Sequence, residues 1–132
     1  MAKASLSGAQ QAQLMYLGSL PPKFERIHRL IEEIANLHGG DTTIKMLTRM
    51  LDELKNGASN LTLTSMADVF GNMGQMARRG GGLQMKVRGL REGLVSLKIN
   101  YEGALRKAST PEGIPQDAVD PTKAGTLPAR NP

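Results

Sequence analysis

Apolar residues along this chain recur at steps of three and four, a spacing that predicts helices and no strands. Phe24, Ile27, Leu30, Ile31, Ile34 and Leu37 make one amphipathic face. Pro21-Pro22 suits its first turn, because proline there gives up no hydrogen bond the helix needs, and Gly39-Gly40 supplies the stop. Asp41 is placed to cap the next helix, whose buried stripe is Ile44, Leu47, Met50, Leu51 and Leu54, with Lys55-Asn56-Gly57 as its C-terminal signal. So short a connection predicts an antiparallel hairpin. A third helix from Thr62 or Thr64 carries Leu63, Met66, Phe70, Met73 and Ala77, interrupted by Gly71 and Gly74 and ended by Gly80-Gly81-Gly82. Upstream, Ser7 and Gln10 have capping-box spacing and predict a short helix from about Gly8 to Leu17, closed by Gly18-Ser19.

The longest pattern runs from Leu83 to Ala108 and consists of two parallel stripes. Leu83, Val87, Leu90, Leu94, Leu97, Tyr101, Ala104 and Ala108 form an apolar edge; Gly89, Gly93, Ser96, Asn100 and Gly103 form a small or polar edge beside it. Four-three alternation places each set along one side of a long helix, as in a coiled coil. A glycine inside a helix costs roughly 1 kcal/mol relative to alanine, so three on one edge predict a closely packed neighbour. The fold expected is all-α: a three- to four-helix up-down bundle over 20–108 with a long C-terminal helix. An N-terminal segment, 1–19, holds the short helix, and a tail, 109–132, contains five prolines and almost no large apolar residue and is expected to be disordered.

Composition narrows the chemistry. At 132 residues one domain is expected, and its core must be built from Leu, Ile, Val and Met because Tyr16, Phe24, Phe70 and Tyr101 are the only aromatics. The absence of cysteine removes disulfides, thiolate metal sites and Cys nucleophiles together. The opening residues lack the apolar core of a secretory signal and no apolar run reaches a membrane span, so an intracellular protein, cytoplasmic or nuclear, is expected. Charge is unevenly placed. Residues 1–77 balance, whereas 78–107 hold eight bases against Glu92 and Glu102, which makes an acidic partner plausible.

Candidate chemistry is thin. Glu25 and His28 have the spacing of a carboxylate-bridged metal bundle, but His38 has Ala35 where a second copy wants a carboxylate, so no metal is expected. A phospho-accepting His28 would want a docking surface with a small residue and a cation nearby, for which Arg29 in isolation is a poor match. Arg78-Arg79-Gly80-Gly81-Gly82 before a helix start resembles an anion cradle in outline; no Lys-Ser/Thr follows, and a hinge explains the glycines. No nucleophile-base pair emerges. The expectation is therefore a non-enzymatic interaction module without cofactors, an adaptor or small subunit that binds a protein partner or itself. Leu90, Leu94 and Leu97 would hold the bundle or anchor the partner, Gly89 and Gly93 would admit its backbone, and Met73 and Met76 would line an adaptable groove. On that reading a Gly93→Leu variant stays helical and loses its partner. The alternative is a basic module that contacts nucleic acid or another acidic surface through Arg78, Arg79, Lys86, Arg88 and Arg91.

Overall fold

A computed structural model describes residues 5–38 and 40–111, which form helices and no strand. Five helices follow in order: α1 (Gly8–Gly18), α2 (Leu20–Ala35), α3 (Gly40–Asn60), α4 (Thr64–Arg78) and α5 (Leu83–Ala108). The expected disordered tail lies, from residue 112 onward, outside the described residues. Four helices pack together, α2 against α3, α3 against α4, α4 against α5 and α5 back against α2, while α1 lies on α5 and α2. The core is Leu, Ile, Val, Met and Ala around Phe70 and Phe24, as the shortage of aromatics requires. Phe24 of α2 and Tyr101 of α5 meet edge to face with ring centroids 5.3 Å apart, an arrangement in which a ring's positive edge meets a negative face.

α1 forms on the capping box the sequence predicts. Ser7 Oγ accepts from the Gln10 backbone N–H, and the Ser7 N–H donates to Gln10 Oε1. Its side chains then tie down the ends of other helices. Gln10 Nε2 donates to the carbonyls of Lys107 and Thr110, Gln13 Nε2 to Leu61, and the Tyr16 hydroxyl to the Leu54 carbonyl. The last carbonyls of a helix have no partner within it, so Gln10 and Gln13 act as external caps for α5 and α3, while Tyr16 adds a second bond to a carbonyl inside α3. Leu17 and Leu20, at the α1–α2 junction, are fully buried. Burial of Tyr16 pushes its phenol up to about 12.

Two helix ends differ from expectation. Leu37 belongs to no helix: it stands 75 % exposed at φ 62, just after α2. The Leu37 N–H donates to Ile34 O and the His38 N–H to Glu33 O, the paired bonds of a Schellman stop with a leucine in the left-handed position. α3 likewise runs through Gly57 to Asn60 and stops the same way, with Thr62 at φ 58, Thr62 N–H on Ser59 O and Leu63 N–H on Ala58 O. Gly57 does not end the helix because it is needed inside it. A Cβ there would sit 2.8 Å from the Tyr16 ring, so the glycine makes room for α1.

Candidate functional site

The glycine edge of α5 is filled by α4 of the same chain. A Cβ built on Gly93 would lie 2.6 Å from Met73 Cγ, and one on Gly89 would lie 2.0 Å from Met76 Sδ. No real Cβ approaches a neighbour that closely; at Gly93 the obstacle is the stem of the buried Met73, whereas at Gly89 it is the flexible end of the half-buried Met76. Met73 meets Gly93 and Met76 meets Gly89, an order that reverses along the two chains and makes α4 and α5 antiparallel. Leu90, Leu94 and Leu97 are buried in the bundle, as is Met73, and Met76 is half-buried. Of the residues expected to receive a partner helix, Leu90, Leu94, Leu97 and Met73 are thus turned into this chain's own core, and Gly89, Gly93 and Met76 are half-buried where α4 meets α5. Met66 joins Met73 inside, Met50 and Met76 are half-buried, and Met46 and Met85 are exposed.

Gly103 behaves differently. Among the described residues nothing lies within 4 Å of a Cβ placed there. It faces a groove of about 920 Å³ between the C-terminal half of α5, the first turns of α4 and the α1 side chains Gln10 and Gln13. Since no contact requires a glycine in the isolated fold, Gly103→Ala is expected to stabilise the chain by up to about 1 kcal/mol through helix propensity alone. A rise in urea midpoint with unchanged slope is the readout; a fall would mean that the groove is closed in solution.

The basic residues divide. Arg78 forms an ion pair with Asp52 of α3, and its side chain turns back along the bundle, away from the glycine turn. Arg91 grips Glu32 of α2 with two bonds, Nε to Oε2 at 2.9 Å and the terminal nitrogen to Oε1 at 2.7 Å. Arg88 lies 3.9 Å from Glu92 on its own helix. Lys86 is half-buried, and neither it nor Arg79 makes an ion pair among the described residues. Two of the five cations offered for an acidic surface therefore hold helices together. Gly81 at φ 119 and the exposed Gly80 and Gly82 make a turn between α4 and α5.

The Glu32–Arg91 bond has a pH signature. The hydrogen bond from Arg91, helped by its charge, holds the Glu32 carboxyl below its ordinary value of 4.5, and the same pair raises Arg91. A depressed carboxylate contributes stability that is complete above its unfolded value and is lost as pH falls through the folded one. Wild-type stability is expected to decline from about pH 4.5 downward, and Glu32→Gln should flatten that part of the profile. Urea midpoints at low and high salt check it. The difference should shrink with salt because the pair is at the surface.

What remains available on α5 is its outer face. Met85 is 72 %, Val95 59 % and Ile99 66 % exposed, on a helix whose other large apolar residues are buried or half-buried. Arg88, Glu92, Glu102 and Arg106 share that face, all exposed. The sequence reading passed over Val95 and Ile99. Their signal is a third stripe, Arg88, Glu92, Val95, Ile99, Glu102, Arg106, with the same four-three stepping as the leucines.

A second opening, of about 720 Å³, separates the end of α2 from the start of α5 and is lined by Ala35, Asn36, Leu83 and Met85 among others. Glu25 and His28 are both exposed on α2. Among the described residues no three His, Asp or Glu side chains gather where they could hold a metal ion, and no helix is long and apolar enough to cross a membrane. The fold and its exposed face thus define a small helical bundle with an unpartnered stripe on its longest helix. Searches of protein-family models, curated proteins and solved structures find no match to the chain.

Proposed function

We propose that this protein is a non-enzymatic helical interaction module, an adaptor or small subunit inside the cell, that takes a partner on the outer face of α5. In this reading an up-down bundle of α2 to α5, clamped at one end by α1, serves as a rigid mount for that face. The observation that carries it is the exposure of Val95 and Ile99, two large apolar side chains one turn apart on the longest helix. An apolar stripe that is flanked by charge and left uncovered by the described residues is the form of a docking face. The charged neighbours Arg88, Lys98 and Arg106 would orient an approaching partner and speed encounter more than they would deepen affinity.

The test separates folding from docking. In a Val95→Ser/Ile99→Ser double variant, helix content and urea midpoint should change little, because both side chains are already in water in the lone chain. The native assembly recovered from cells by a tag on this chain should fall in mass to the chain alone. An assembly of undiminished mass would overturn the reading.

A further inference from the structure

We infer that the occupant of the α5 outer face is a second copy of the same helix, lying antiparallel with a two-fold axis beside Ile99. This rests on the docking role proposed above and names its partner. The reason is that the exposed stripe is complementary to itself. In a two-fold antiparallel pair, residues at equal distances on either side of the axis come level with one another. Glu92 and Arg106 are each seven positions from Ile99, and Val95 and Gly103 are each four. At about 100° per residue, Glu92 and Arg106 both lie within about 20° of the direction of Ile99. Glu92 of one copy therefore faces Arg106 of the other, and the symmetry makes this opposite-charge pair twice.

The same register accounts for Gly103. Val95 and Gly103 lie about 40° to either side of Ile99, so the valine of each copy is set beside the glycine of the other. Gly103 is a mid-helix glycine over which no described residue packs, unlike Gly89 and Gly93, whose space is taken by α4. A neighbouring valine gives that space an occupant. Ile99 meets its own symmetry mate at the centre, which covers the most exposed apolar side chain in the C-terminal half of the helix. The like-charged pair that this register makes, Arg91 with Lys107, lies about 80° off the contact line, and Arg91 is already held by Glu32. Arg88 and Glu92, 3.9 Å apart and exposed, form a loose pair that leaves Glu92 able to turn toward the second copy. One helix pair buries little area, so the association is expected to be weak, with a dissociation constant on the order of tens of micromolar.

Sedimentation equilibrium of the purified full chain over a wide concentration range tests this directly. The wild type should pass from monomer to dimer. Glu92→Arg should weaken the dimer about tenfold by placing arginine opposite arginine at both ends, Arg106→Glu should do the same, and the two together should return to within about threefold of wild type. Gly103→Leu should abolish dimerisation while the monomer keeps its helix content, since the site is open in the single chain. The cysteine-free sequence allows a second readout: Ile99→Cys should oxidise to a cross-linked dimer at least about tenfold faster than Lys98→Cys, which points about 100° away. A chain that stays monomeric at hundreds of micromolar, a charge swap that restores nothing, or equal cross-linking rates would each overturn the two-fold pairing. A purified monomer whose native assembly still depends on Val95 and Ile99 would remove the second copy alone and leave a different partner on that face. Independence of both from those residues would remove the docking role as well.

Discussion

Gly93→Leu is expected to destabilise the fold by about 3 kcal/mol, with loss of packing between α4 and α5 and no selective loss of a partner. The estimate follows from two opposed effects. Leucine improves helix propensity over glycine by roughly 0.7 kcal/mol. Against it, even the first carbon of the new side chain would fall 2.6 Å from Met73 Cγ, and Met73 is itself almost wholly buried. Overpacking of a tight interior typically costs about 1–3 kcal/mol and more when the side chain that must yield cannot leave. The size exchange Met73→Ala with Gly93→Leu should recover at least about 1 kcal/mol relative to the sum of the single changes, because the leucine then fills the space the methionine vacates. Urea unfolding of the four species measures the coupling. A Gly93→Leu chain of wild-type stability that loses its assembly would instead place the partner on the glycine edge, as the bare pattern of the sequence suggests.

Phe70→Ala should be the most damaging single truncation. Phe70 is fully buried in α4 and, with Phe24, is the largest side chain in a core that otherwise holds Leu, Ile, Val, Met and Ala. Removing a buried phenyl group costs about 3–5 kcal/mol, from lost transfer energy and the cavity left behind. A domain of this size has a total stability on the order of 5–10 kcal/mol, so the variant should sit close to the unfolding threshold at ambient temperature. Phe70→Leu, which keeps most of the volume, should cost less than about 1.5 kcal/mol. The contrast between the two is the check: equal losses would mean that the site accepts a void, and that the core is looser than the burial of Phe70 implies.

Much of this architecture is legible from spacing and end signals. The capping box Ser7–Gln10, the Pro21-Pro22 start, the Gly80–Gly82 break and the inward stripes of all four long helices come directly from residue types at given intervals. Gly57 is different, because glycine reads locally as a stop while its role here is to clear the Tyr16 ring, which is 41 residues away in sequence. Leu37 and Thr62 are different for the converse reason. Neither residue type favours a left-handed backbone, yet both hold one where their helices must turn into short connections. The outer face of α5 was written in the sequence as well, but beside it the leucine stripe is stronger and more regular. Val95 and Ile99 become conspicuous only once the leucines are known to be inside.

The sequence by itself determined that this chain is helical, where most of its helices begin, which face of each turns inward, and that something must press against the glycines of the last helix. Those are properties of one helix at a time, set by a 3.6-residue period and by the backbone preferences of proline, glycine and the capping residues. Only the tertiary structure decided that the neighbour at Gly89 and Gly93 is this chain's own α4, that Gly103 is left open, and that Val95 and Ile99 face outward. Which helix fills a gap depends on the fit of two surfaces, and a helix tethered by the four-residue turn 79–82 competes for it at high effective concentration. Periodicity registers the vacancy along one helix; the three-dimensional packing of the others selects what enters it.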